Sequence, residues 1–305
     1  MNEIKIFCPG CMAKYEVSDF PPFSKFNCPE CGYQLCAPQW FGPYLLEEKS
    51  GEGGTSCIYR ARDTRTDRPV AIKIAKDKIL KPNYNPFARE TSILEQLPPI
   101  PGIVPILEYG EISGKPFVAM PFYSGGDAES RRKAGTLPPR YRIFEAIAQA
   151  ANALDAVRRY GVVHHDIKSS NMFFDAADNM YVGDFDTADI RKDDDNYTRC
   201  PGWVTPAYSS PEKLEFASES FKGDIFSLGV TAYELLCDRQ PFSSKGAIYS
   251  LLDERKERKF PTPGEIHPEM EGEVSDLIMS MMEYDPDMRP EYQEIAVVFK
   301  MLAED

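Results

Sequence analysis

Basic residues are scarce in this 305-residue sequence: 35 Lys and Arg face 48 Asp and Glu, a formal charge of −13. With no long basic run either, the chain is poorly made to grip nucleic acid through its phosphates. No apolar run reaches the roughly 18–20 residues of a membrane-spanning helix. The opening MNEIKIFCPG lacks the basic region and apolar stretch of a secretory leader, so a cytoplasmic location is expected. Internal repeats and low-complexity stretches are missing too. What remains is ordinary folded-protein composition, 42% hydrophobic and 27% charged, in a chain long enough for one large domain or two smaller ones.

Cysteine is also thin, except at the start. Cys8, Cys11, Cys28, Cys31 and Cys36 fall in the first 36 residues, whereas Cys57, Cys200 and Cys237 are scattered. A secreted disulfide scaffold would spread its pairs through a small chain. The sequence thus divides into a cysteine-rich module (1–36), a short joint (37–41) and one long unit (42–305). Cys8-Pro-Gly-Cys11 and Cys28-Pro-Glu-Cys31 each aim two thiolates at one point, and together they make the four-sulfur tetrahedron that Zn²⁺ favours. Gly10 and Gly32 suit tight turns, and 14–17 and Phe26 alternate as short strands do. This module resembles a zinc-ribbon finger. A redox CxxC would leave the second pair unexplained, and iron in a rubredoxin-like site is the other metal to weigh. Cys36 reads as a spare small residue. Three lysines against four acids in the module argue for a structural or protein-docking role and against nucleic acid. A segment this small needs its metal to fold. Chelation is therefore expected to unfold residues 1–36 and to leave the function of the long unit nearly intact.

The long unit opens with Gly51-Glu52-Gly53-Gly54-Thr55-Ser56 between two strand-like stretches, 44–50 and 57–63. Such a hairpin lets backbone N–H groups approach phosphates, although an ordinary flexible turn has the same composition. Val70-Ala71-Ile72-Lys73 is a short strand ending on a lysine. Residues 87–94 read as an amphipathic helix with Phe87, Thr91 and Leu94 on one face and Glu90 beside it. The deciding stretch is His164-His165-Asp166-Ile167-Lys168-Ser169-Ser170-Asn171, followed by Gly183-Asp184-Phe185-Asp186. Asp166 offers a carboxylate for an incoming hydroxyl, Lys168 a cation for a transferring phosphoryl group, and Asn171 and Asp184 oxygen ligands for Mg²⁺.

With these motifs, residues 41–305 resemble the eukaryotic-like protein kinases. Thr205-Pro206-Ala207-Tyr208-Ser209-Ser210-Pro211-Glu212 looks like the end of a kinase activation segment. Residues 224–230 resemble the buried helix beneath the catalytic loop, and Arg289 would pair with Glu212. The Ser-Pro-Glu segment sets the chain apart from small-molecule kinases. The resemblance implies an α+β, two-lobed protein kinase fold preceded by the ribbon, with an N-lobe at about 42–120, a C-lobe at about 124–305 and ATP between them. It implies that Gly51, Gly53 and Gly54 cover the phosphates, that Ala71 and Met120 lie against adenine, and that Lys73, tied to Glu90, holds the α- and β-phosphates. It gives Pro121 a carbonyl contact and Tyr123 an N–H contact to adenine, and Asp127 a reach to the ribose. Asp166, Lys168 and Thr205 would serve the transfer to protein Ser or Thr hydroxyls, with Asn171 and Asp184 on Mg²⁺ or Mn²⁺.

Three positions depart from the family. Ser56 replaces the third glycine, His165 replaces the usual arginine, and Asp186 replaces the glycine after Asp-Phe. The last removes glycine's freedom at positive φ and keeps open a nucleotide-binding scaffold whose ribbon docks a partner. His164 is expected to brace the Asp184 segment, His267 to be solvated, and Cys57 and Cys200 to be ordinary thiols. Because His165 cannot form a bidentate pair and Asp193, Asp194 and Asp195 already crowd the segment, phosphorylation of Thr198 is expected to be dispensable, with Arg191, Lys192 and Arg199 as the cations that could answer it. The stripe Ile143, Ile147, Ala151 and Leu154 reads as the core face of a helix.

Overall fold

Both cysteine segments form hairpins built the same way. Strand β1 (Lys5–Phe7) pairs with β2 (Lys14–Glu16), and β3 (Lys25–Asn27) with β4 (Gln34–Cys36). In each, the N–H of the first cysteine bonds five residues ahead, Cys8 to the Ala13 carbonyl and Cys28 to that of Tyr33, both at 2.8 Å. Met12 and Gly32 stand in the same left-handed place, at φ 64° and 74°. Gly10 is required for close approach, since a Cβ there would come within 3.0 Å of the Cys31 sulfur. The computed structural model describes residues 3–79, 85–190, 198–199 as backbone, 205–243, 245–270 and 272–304.

The expected joint is itself structured. Its residues form β5 (Gln39–Phe41), an edge strand of an antiparallel sheet with β6 (Tyr44–Glu52), β7 (Ser56–Asp63), β8 (Arg68–Ala75), β9 (Glu108–Ile112) and β10 (Lys115–Pro121) in the order β5-β6-β7-β8-β10-β9. Alternation puts Tyr44, Leu46, Ala61, Val70, Ile72, Phe117 and Ala119 on one buried face. The ribbon and this sheet form one unit, Met1–Ala88 with Pro105–Phe122. Phe23, between β2 and β3, packs on the same core and stacks on Tyr59 of β7 at 5.2 Å. That contact departs from the expectation of a free-standing module.

The second unit, Arg89–Val104 with Tyr123–Asp305, is mostly helical. It contains α1 (Ala88–Glu95) from Arg89 onward, β11 (Gly126–Asp127), α2 (Ala128–Ala134), α3 (Arg140–Arg158), β12 (Val162–Val163), β13 (Met172–Phe174), β14 (Met180–Val182), β15 (Asp189–Ile190) and β16 (Thr198–Arg199). Then come α4 (Pro211–Phe216), β17 (Ser218–Glu219), α5 (Phe221–Cys237), α6 (Ile248–Glu257), α7 (Pro263–Ile266), α8 (Glu273–Met281) and α9 (Tyr292–Glu304). Every residue of α5 from Gly223 to Cys237 is buried, so it has no polar face. The predicted stripe of α3 is buried beside it. Among the described residues no helix is long and apolar enough to cross a membrane.

Candidate functional site

The loop after β12 is held from below by one carboxylate. Asp224 of α5, itself buried, accepts the backbone N–H groups of His164 at 2.7 Å and His165 at 2.8 Å. His165 sits at φ 68°, a conformation that needs such support in a non-glycine residue. The buried His164 ring accepts the Asp166 N–H at Nδ1 (3.3 Å) and meets the Gly183 carbonyl through Nε2 (3.1 Å). This network assigns the neutral, Nε2-protonated ring, and burial lowers its pKa in keeping with that. His164 thus braces the strand end that leads to Asp184.

Around Asp166 three side chains converge. Lys168 donates from Nζ to Oδ2 (2.5 Å), and the Thr205 hydroxyl donates to Oδ1 (2.9 Å) and receives Lys168 Nζ at 3.3 Å. Asn171 donates Nδ2 to the Asp166 carbonyl (2.9 Å) and to Oδ2 (3.2 Å), which leaves the amide oxygen as its ligand atom. Asn171 is tied to the next motif through its carbonyl, which accepts Gly183 N–H at 2.9 Å. Asp184, Asp186 and Glu90 each bring a carboxylate oxygen within 4.8 Å of the others. The strain expected at Asp186 falls elsewhere. Asp186 lies in the short turn Phe185–Thr187 without a positive φ, and Asp184 takes the left-handed conformation at φ 65°.

The segment after Thr205 is anchored by buried charge. Arg289 and Glu212 pair bidentately at 2.7 and 2.9 Å. His165 Nδ1 meets Glu219 at 2.9 Å, and the same carboxylate takes Lys213 at 3.2 Å and the Ser210 hydroxyl at 2.6 Å. Burial pushes the Glu219 carboxyl up, but Lys213 and His165 outweigh it and hold it at about 2. Gly223 makes room, because a Cβ there would collide with that carboxylate. Thr198 and Arg199 are described as backbone in β16, opposite Glu219 and Ser218. Arg191, Lys192, Asp193, Asp194, Asp195 and Cys200 lie outside the described residues.

In the ribbon, the sulfurs of Cys8, Cys11, Cys28 and Cys31 lie within 4.8 Å of one another, with Cys8 to Cys31 at 3.5 Å and Cys11 to Cys28 at 3.6 Å. Bonds of about 2.3 Å from a central Zn²⁺ put tetrahedral sulfurs roughly 3.8 Å apart, so the cluster fits that ion.

The protein kinase domain family matches residues 44–298. The chain belongs to this family. It is 30% identical over 257 residues to the DNA damage-responsive serine/threonine-protein kinase RqkA of Deinococcus radiodurans, covering 82% of this chain and 38% of that protein. It is equally similar to serine/threonine-protein kinase PknE of Mycobacterium tuberculosis, over 82% of this chain and 44% of PknE. PknH of the same organism matches at 30% over 234 residues, 75% of this chain and 36% of PknH. The chain spans less than half the length of these relatives.

The kinase domain places its remaining sequence candidates as follows. Gly51 ends a bulged stretch of β6, and Gly53 N–H bonds the Ser56 carbonyl at 2.9 Å, closing the hairpin in which Gly54 stands open. Ala71 is opposite Met120 and Lys73 opposite Val118 in the β8–β10 register, which also includes Pro121. Lys73 is buried, with Nζ 5.5 Å from the Phe87 ring. Tyr123 lies tilted against Tyr181, ring centres 4.4 Å apart. Asp127 caps α2, accepting the Ser130 N–H at 2.8 Å. Sequence reading missed Glu219, Lys213 and Glu234. The last accepts Tyr208 at 2.5 Å and Ser169 at 2.8 Å. Lone acids and lysines carry no local signal, and only the fold brings them under the loop.

Proposed function

We propose that the chain is a serine/threonine protein kinase, using ATP with Mg²⁺ or Mn²⁺ and acting on protein hydroxyls, its own included. The observation that carries this reading is the convergence of Lys168, Thr205 and Asn171 on one carboxylate, Asp166. In the proposed step the substrate hydroxyl gives its proton to Asp166 as its oxygen bonds the γ-phosphorus, while the bond from that phosphorus to the bridging oxygen of ADP breaks. Lys168 balances charge on the moving phosphoryl group. The amide oxygen of Asn171 and the carboxylate of Asp184 are the ligands for the divalent cation, which neutralises phosphate charge. Gly51, Gly53, Gly54, Ala71, Lys73, Glu90, Met120, Pro121, Tyr123 and Asp127 are proposed for the nucleotide. The names of the relatives support Ser/Thr as the acceptor, as do Lys168 and Thr205. The scaffold alternative drew on Asp186, whose turn holds no positive φ at that residue. His165 pairs with Glu219, an internal carboxylate, which supports activity without a phosphate at Thr198.

We further propose that Cys8, Cys11, Cys28 and Cys31 hold one structural Zn²⁺, and that the ribbon serves a protein partner in the cytoplasm. The kinase reading is tested by incubating the protein and its Asp166→Asn variant with Mg²⁺ and labelled ATP. Label confined to phosphoserine and phosphothreonine, and lost in the variant, is expected. Equal label in both, or mainly phosphotyrosine, would refute it.

A further inference from the structure

Arg255 of α6 has no exposed surface, and among the described residues no carboxylate stands within ion-pair distance of it. Its guanidinium donates instead to backbone carbonyls: Nε to Ser209 (2.8 Å), Nη1 to Leu251 (2.7 Å) and Nη2 to Pro206. One face lies 4.6 Å from the Phe242 ring centre and 5.9 Å from that of Phe226. A guanidinium withdrawn from water and paired with no carboxylate is costly, and burial lowers its pKa to about 10, the charge of Glu254 offsetting only part of that. An apolar side chain would fill the same space without that cost. What only an arginine does here is hold two carbonyls of one turn in a fixed fork.

That turn carries Thr205. Tyr208 N–H bonds the Thr205 carbonyl (3.0 Å), Ser209 N–H the Pro206 carbonyl (3.3 Å), and the Ser209 hydroxyl the Thr205 carbonyl (3.1 Å). At its start the Thr205 hydroxyl touches Asp166 and Lys168. We propose that Arg255 is a positioning residue for the phosphate-accepting side of the site, fixing the 205–209 turn so that an incoming hydroxyl reaches Asp166 beside Thr205. The inference rests on the kinase reading and deepens it. The phosphate-loop, strand and adenine candidates Gly51, Lys73 and Met120 all belong to the other unit, so the effect should fall on the acceptor and spare the nucleotide.

The test is steady-state kinetics on one Ser/Thr peptide with Arg255→Lys, Arg255→Met and Leu251→Val, the last trimming a buried side chain of α6 while keeping the Leu251 carbonyl that Arg255 meets and both carbonyls of the turn. Lysine keeps the charge and loses the fork, and methionine loses both. The expected result is a peptide KM raised about tenfold in the lysine variant and further in the methionine variant, with ATP KM within about twofold of wild type. Leu251→Val should leave both constants near wild type. An unchanged peptide KM in Arg255→Lys, or equal changes in both KM values, overturns the proposal. Should neither Arg255 variant fold, Phe242→Leu removes the ring under the guanidinium and leaves every donor. A peptide KM raised about threefold there supports the proposal, and an unchanged one overturns it. A wild-type protein that transfers no phosphate refutes the kinase reading itself and is thereby told apart from failure of the Arg255 inference alone.

Discussion

Replacing Arg289 with methionine should destabilise the second unit more than almost any other single change. All five guanidinium N–H groups are used: two on Glu212, and one each on the carbonyls of Glu283 (2.8 Å), Lys222 (2.8 Å) and Tyr284 (3.1 Å). Methionine fills similar space but leaves a buried carboxylate without a counter-charge and three carbonyls without donors. Breaking such a pair from one side costs about 3–5 kcal/mol, which at about 2–4 °C per kcal/mol lowers the melting midpoint by roughly 6–20 °C. Urea unfolding followed by far-UV circular dichroism reads the helices directly. Adding Glu212→Met to Arg289→Met should recover part of the loss, because the stranded charge goes with it. A loss under about 1 kcal/mol in the single variant, or a double variant less stable than the single one, would refute the reasoning.

Acid should probe His164. Burial depresses its folded pKa, so below about 6.5 the unfolded chain takes up a proton that the native ring refuses, and stability falls by up to ~1.4 kcal/mol per pH unit. His164→Gln should flatten that slope in stability curves measured between pH 5 and 7, and an unchanged slope would count against it. Zinc assayed after denaturation should come to about one ion per chain, and Cys28→Ser should lose it. Because Phe23 stacks on Tyr59, Phe23→Ala should cost the first unit about 1–3 kcal/mol with the metal still bound, read by thermal melting alongside the zinc assay. Chelation should then lower the stability of the six-stranded sheet as well as of the ribbon. A sheet that melts at the same temperature with and without metal would contradict this.

The sequence made legible whatever depends on close spacing. The paired CxxC turns, the Asp166, Lys168 and Asn171 set, and the helical stripe of α3 all act within a few residues of themselves, and each takes its expected local form. The helix expected over 87–94 is α1, which begins one residue later; of its expected face Phe87 and Thr91 are buried and Leu94 partly so, while Ile93 and Glu90 are buried as well. Long-range pairing was legible only through family resemblance, as with Arg289 and Glu212. Where neither spacing nor resemblance spoke, nothing was foreseen. The joint at 37–41 gave no hint of an edge strand, since three residues are too few for a period. Phe23 on Tyr59 and Arg255 under the 205–209 turn join distant residues by shape. The positive φ expected to matter at Asp186 moved to Asp184 and His165, because local backbone freedom is settled by surrounding hydrogen bonds as much as by residue type.

Asp224 grips two successive amides that precede it by 60 and 59 residues. This has a consequence for the order of assembly. Neither amide can be satisfied until α5 is docked, and α5 finds its place only within the packed helical core. Closing so long a span delays the contact, so the loop bearing Asp166 should acquire its shape late in folding. The same dependence protects it afterwards. Deuterium should enter at His164 and His165 only through openings that pull α5 away, at rates that track global unfolding, while it should enter far sooner at Gly54, at the open tip of its hairpin.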